Sequence, residues 1–169
     1  MMNTLAYRVR EALRKDAPVV GEMWRELMQL HATLDPHFCV SDAGEALYRR
    51  HTEEMIRSRD GKVLLAETVD TGHPIGFLLA EIHARPLLPE GGDYGLISDI
   101  FVRERWRRQG VGRALFEAAM HWFHARAVRS VQLYVSEANP DALAFWHAVG
   151  MRPYLRVLQK DLSTPEDAL

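Results

Sequence analysis

The sequence has a single cysteine, Cys39, so no disulfide can form within the chain and the fold must rest on its core. No apolar run approaches the roughly 20 residues that a membrane-spanning helix needs. No N-terminal stretch combines a basic start, an apolar middle and a small-residue cleavage site. These absences give the expectation of a cytoplasmic protein with no membrane partner. Charge of either sign is not in excess: the net value is −2 over 169 residues. A broad basic face for nucleic acid is therefore not expected, and the aromatic sheet motif of an RNA-binding module is missing. A Gly-Lys-Ser/Thr sequence is absent, which excludes a P-loop for ATP or GTP, and the glycine spacing is not that of a dinucleotide fold. His121 and His124 share a helix face, but no further ligands accompany them, so no metal is expected.

What is present is the composition of an ordinary globular domain, 47% hydrophobic and 26% charged. We take residues 1–162 as one domain and 163–169 as a polar C-terminal tail. Residues 7–10 read as a strand. Asp16 reads as a helix cap with Pro18 in the first turn, followed by Met23, Trp24, Leu27, Met28 and Leu30 at helical spacing. A second helix spans about 42–58. The period then changes: 63–69 and 75–83 form a hairpin through Asp70-Thr71-Gly72-His73-Pro74. A loop covers 86–92, and a nearly continuous apolar strand covers 95–102. A helix over 110–127 carries Val111, Leu115, Ala118, Ala119, Trp122 and Phe123 inward. A strand at 131–135 and a short helix from Asn139-Pro140 to Gly150 follow. A last strand is expected at 154–162. A strand-helix-strand unit from Gly95 to Val135 requires a parallel pair with a right-handed crossover. The expected fold class is α/β, with a mixed, mostly antiparallel central sheet and helices on both faces.

The chemistry concentrates where the strand at 95–102 meets the next helix. There the chain reads Arg107-Arg108-Gln109-Gly110-Val111-Gly112-Arg113-Ala114. A helix N-terminus offers unpaired N–H groups and a partial positive charge. Gly110 and Gly112 let the backbone approach an anion, and Arg107, Arg108 and Arg113 add forked donors. A pyrophosphate suits this arrangement.

The spacing Arg107-x-x-Gly110-x-Gly112 resembles the phosphate-binding motif of the GNAT N-acetyltransferase superfamily, written Q/R-x-x-G-x-G/A. Asn139-x-x-Ala142-x-x-Phe145-Trp146-x-x-x-Gly150-Met151 resembles that superfamily's N-x-x-A-x-x-F-Y-x-x-x-G-F segment. Val9-Arg10-x-Ala12 with Asp16 resembles its opening strand and helix. The resemblance implies a GNAT-like sheet with a splayed parallel strand pair. It implies acetyl-CoA as acetyl-donor cosubstrate, with pantetheine in the splay against backbone groups of Ile100, Phe101 and Val102. Backbone N–H at a strand bulge would polarise the thioester carbonyl. The pyrophosphate would lie on Arg107, Arg108, Gln109, Gly110, Val111, Gly112, Arg113 and Ala114, and the pantetheine arm on Asn139 and Phe145. Dimers are frequent in the family, so a homodimer is the expected assembly.

One departure matters. Trp146 stands where the family usually has the tyrosine that protonates the departing thiolate. An indole N–H donates a hydrogen bond but cannot supply a proton. The proton would then come from Tyr134, Tyr154 or water. The acceptor amine must lose a proton before attacking. Asp99 is the first candidate for that base, and Glu81 and His83 come next. His31, Asp35 and His37, near the end of the first long helix, lie where family members often contact the acceptor. Direct attack in a ternary complex is expected over an acetyl-cysteine route, because Cys39 lies in a loop away from the motif. The alternative reading is an acyl-CoA-binding regulator with weak or no transferase activity, which Trp146 favours.

Overall fold

The computed structural model describes residues 6–85 and 92–160. A five-stranded sheet runs in the order β1 (Tyr7–Glu11), β2 (Gly61–Thr68), β3 (Pro74–His83), β4 (Tyr94–Val102), β5 (Ser130–Leu133). The first three pairings are antiparallel and β4–β5 is parallel. Helices α1 (Ala17–Leu34) and α2 (Gly44–Arg57) connect β1 to β2. Helix α3 (Val111–Ala125) makes the crossover from β4 to β5, and α4 (Pro140–Ala148) follows β5.

Alternation along the strands sends side chains into two cores, one on each face. Val63, Leu65, Phe77, Leu79 and Phe101 pack with Val20, Met23 and Leu27 of α1 and Tyr48 of α2. Leu64, Ala66, Leu78, Ala80 and Ile97 pack with Val111, Leu115, Ala119 and Phe123 of α3 and Trp146 of α4. The expected mixed sheet with helices on both faces is thus observed. Phe116 is also buried on α3, beyond the residues expected there.

Two features differ from the sequence reading. Asp16 precedes α1, but its carboxylate does not cap that helix. It accepts instead from the Leu13 N–H at 2.7 Å and from both Arg10 terminal nitrogens at 2.7 and 3.1 Å. The guanidinium outcompetes the helix N–H groups because a charged, forked donor makes the stronger bond. Of the strand expected at 154–162, the described residues 154–160 form none: residues 151–160 hold no helix or strand. Tyr154, Leu155, Val157 and Leu158 are exposed. Strand propensity is realised only through pairing and burial, and this segment has neither. Residues 161–169, including the tail, lie outside the described residues, as do 86–91 of the expected loop. Among the described residues, no helix is long and apolar enough to cross a membrane.

Candidate active site

Strand β4 carries a bulge that organises the site. Its register with β3 slips between Leu79 and Ala80: Leu79 faces Asp99, whereas Ala80 faces Ile97. Ser98 is the extra residue. Without a bulge, residues two apart share a face. With it, Ile97 joins the α3 core, and Asp99 turns toward α2, where Tyr48 meets it. The ladder between β4 and β5 ends at Ile97 and Leu133. Backbone groups of β4 beyond that point that aim at β5 have no strand partner, which is the splay the motifs implied.

A cavity of about 650 Å³ fills this splay. One end lies at the start of α3. Gly110 sits before that helix at φ +85°, a left-handed conformation that glycine adopts without strain. A Cβ on Gly112 would come within 3.3 Å of the Phe145 ring, so a larger side chain there would displace the wall. The first N–H groups of α3 have no carbonyl within the helix. Ala114 is the first to close a turn, donating to the Gly110 carbonyl at 2.9 Å. Arg107, Arg108 and Arg113 line this end. Arg107 Nε donates to the Val102 carbonyl at 2.9 Å. Arg113 donates to the Ala148 carbonyl at 3.1 Å, tying α3 to α4. Three cations beside a helix N-terminus make a site for a polyanion.

Ile100, Phe101, Val102, Asn139 and Phe145 also line the cavity. Asn139 serves the fold as well, since its Oδ1 accepts from the Ala142 N–H at 3.0 Å and caps α4. Gln109, Val111 and Ala114 do not reach the cavity. Gln109 Nε2 turns back to the Arg105 carbonyl at 2.8 Å, and Val111 is in the core.

At the other end, Asp99 is half-buried and lines the cavity. Tyr48 donates its hydroxyl to Asp99 Oδ2 at 2.8 Å. Burial pushes the Asp99 carboxyl above the usual carboxylate range, against the Tyr48 bond and the His51 charge, which favour the anion. Glu81 lies on the same face of the sheet. It accepts from Ser98 Oγ at 2.8 Å and contacts His83 at 3.5 Å and His51 at 4.0 Å. From above, α1 supplies Leu27, Leu30, His31 and Leu34 as a wall. Burial lowers the His31 pKa. Asp35 and His37 are instead bonded to each other at 2.8 Å.

Tyr134 is exposed and lines the cavity, whereas exposed Tyr154 does not. Trp146 lines it too but is 7% exposed, edge-on to Phe116 and Phe145. The sequence reading did not single out Tyr48 for the site. Its spacing with Thr52 one turn later marks a buried helix face, and a buried tyrosine hydroxyl needs a partner. A smaller cavity of about 330 Å³ adjoins Lys62 and Arg126. Those cations are already paired with Glu11 and Asp60 at 2.6 Å each.

The chain is 33% identical over 127 residues to a mycothiol acetyltransferase of Clavibacter michiganensis subsp. michiganensis, an alignment covering 75% of this chain. The alignment spans only 37% of that relative's length. Among solved structures, a mutant of the BH1408 protein from Bacillus halodurans superposes with TM-score 0.82 at 25% identity, covering 92% of this chain and 99% of that one. The aminoglycoside N-acetyltransferase AAC(6')-Iy in complex with CoA superposes with TM-score 0.69 at 20% identity, covering 94% and 95%; at that identity the likeness is one of fold. Residues 24–151 match the model of the acetyltransferase (GNAT) family, and the chain belongs to that family.

Proposed function

We propose that this protein transfers the acetyl group of acetyl-CoA to a primary amine by direct attack in a ternary complex. The observation that carries the reading is the single cavity joining the α3 N-terminus to Asp99 through the β4–β5 splay. Its two ends suit the two substrates. The N-terminus of α3 after the left-handed Gly110, with Arg107, Arg108 and Arg113 alongside, fits a pyrophosphate. The lining by Ile100, Val102 and Phe145 between those ends fits an extended pantetheine arm.

Asp99 is the proposed base. A carboxylate pushed upward by burial is a better proton acceptor than a solvated one, because its pKa moves toward the working pH. The ammonium of the acceptor gives its proton to Asp99. The freed amine nitrogen attacks the thioester carbonyl carbon, the carbon–sulfur bond breaks, and the nitrogen gives up to water the extra proton it carries after the attack. The sulfur leaves as thiolate and takes a proton from Tyr134 or water. A thiol pKa of about 8.5 makes that departure possible without full protonation. Trp146 forms part of the cavity wall and cannot be the proton source.

The test is thiol release from acetyl-CoA across a panel of amines, peptides and water, with Gly112→Glu as the binding-defective control. Release that requires one class of amine and disappears in the control is the expected outcome. Tight acetyl-CoA binding without release for any acceptor favours the acyl-CoA-binding regulator instead. Absence of coenzyme A binding overturns the proposal.

A further inference from the structure

We infer that Tyr48, on α2, is a positioning residue for the reaction: its hydroxyl fixes the Asp99 carboxylate so that the free oxygen faces the incoming amine. The inference rests on the reading of Asp99 as base and adds to the site a residue from outside the cavity wall.

Three observations support it. The hydroxyl donates to one Asp99 oxygen, Oδ2, at 2.8 Å, and leaves the other oxygen unclaimed by that donor. The tyrosine ring itself is immobilised. It stacks on Trp24 at 4.5 Å with 9° between planes, and lies edge-on to Phe77 at 6.3 Å. Its residue is only 9% exposed. A ring clamped on two sides delivers its hydroxyl to one place, which is what a directional bond needs. Finally, the β4 bulge at Ser98 is what turns Asp99 toward α2. Two irregularities of the fold, the bulge and the aromatic stack, therefore converge on a single bond.

The groups that act on Asp99 are Tyr48 and His51 from α2 and Glu81 from β3, while His31 of α1 lines the same cavity. Glu81 is engaged by Ser98, with His83 and His51 nearby. Tyr48 thus supplies the hydrogen bond to the Asp99 anion, while His51 and Glu81 act on it only as charges. Burial and the adjacent Asp99 hold the tyrosine pKa well above its usual value, so Tyr48 stays a donor throughout the working range.

Tyr48→Phe keeps the ring and removes the donor. The full-length protein is labelled with ¹³C at aspartate side-chain carboxyls, and the Asp99 signal is identified by its loss in Asp99→Asn. In folded Tyr48→Phe, the Asp99 titration midpoint moves up by about 1–2 pH units, since a bond to the charged form is lost. The acidic limb of kcat/KM against pH moves up with it, because the base must be ionised and its proton now dissociates at higher pH. Above that limb, kcat falls several-fold while KM for acetyl-CoA is unchanged. An unmoved midpoint overturns the inference and leaves Asp99 as base untouched. A midpoint that moves while the acidic limb stays put shows that Asp99 is not the base, and with it removes Tyr48 from the reaction. If Tyr48→Phe fails to fold, a fluorinated tyrosine incorporated at position 48 provides a more acidic donor, and the midpoint then moves down. No movement with that analogue overturns the inference equally.

Discussion

Glu67 on β2 and Asp99 on β4 are carboxylates of the same sheet, and their surroundings push them in opposite directions. Glu67 is 3% exposed and receives two arginines. Arg8 donates to it at 2.8 Å, and Arg10 at 2.9 Å while also holding Asp16. Its pKa is lowered, first by the Arg10 bond. Asp99 receives a neutral phenol, and burial raises it. A carboxylate surrounded by matched cations is locked in its charged form and fastens β1, β2 and the start of α1 together. A carboxylate given a single neutral donor and an open cavity is left able to take a proton. The first arrangement serves structure and the second suits chemistry.

Asp99→Asn is the largest expected break of this contrast in activity. It removes the proton acceptor but keeps the shape, so kcat/KM for the amine falls by about 10²–10⁴. Stability moves the other way. A carboxyl with a raised folded-state pKa weakens the fold as pH rises through that value, so the neutral amide raises the melting temperature at pH 7. Near-normal turnover in a less stable Asp99→Asn protein would make Asp99 a second Glu67.

Arg10→Ala is the complementary break. It leaves Glu67 to Arg8 and Asp16 to the Leu13 N–H, two carboxylates still out of water. Removing one partner of a buried pair costs about 3 kcal/mol, a fall of about 6–12 °C in melting temperature for a chain of this size. Turnover per folded molecule at 25 °C stays unchanged. The pH dependence sharpens the assignment. Both carboxylates lie below their usual values of 4.5 and 3.8, so their contribution is complete above those values and fades as pH falls through the lower folded-state ones. The stability curves of wild type and Arg10→Ala converge below about pH 4. Curves that stay parallel into acid would show that the arginine acts through packing alone.

These two carboxylates also mark what the sequence makes legible. The Arg107–Gly112 loop and the Asn139 cap are readable because each is local: cap, glycines and cations lie within one turn of the groups they serve. Asp99 is readable as a candidate only by position. Its partner Tyr48 is 51 residues away, and alternation alone would put Asp99 on the face of Ile97. The Ser98 bulge reverses that, and nothing in Ile97-Ser98-Asp99 announces a bulge. Asp16 stands at the expected helix end with an unexpected partner, because the competing Arg10 guanidinium arrives from a strand. Residues 154–160 include strand-forming side chains but pair with no strand, and pairing is decided by the surroundings and not by a segment's own residues.

Trp146 gives the smallest expected effect and asks which of the two kinds of buried group it is. Its ring packs edge-on to Phe116 at 6.1 Å and to Phe145 at 4.9 Å, within the core under α3, while also bordering the cavity. If it serves structure, Trp146→Phe loses part of a buried ring and lowers the melting temperature by a few degrees. Thiol release then stays within about tenfold of wild type, since no proton is drawn from the indole. If its N–H takes part in the reaction, release falls by about 100-fold or more while the melting temperature barely moves. Measuring both quantities on the one variant separates the cases, because packing and catalysis predict opposite ratios of the two losses. The buried edge-on geometry favours the first.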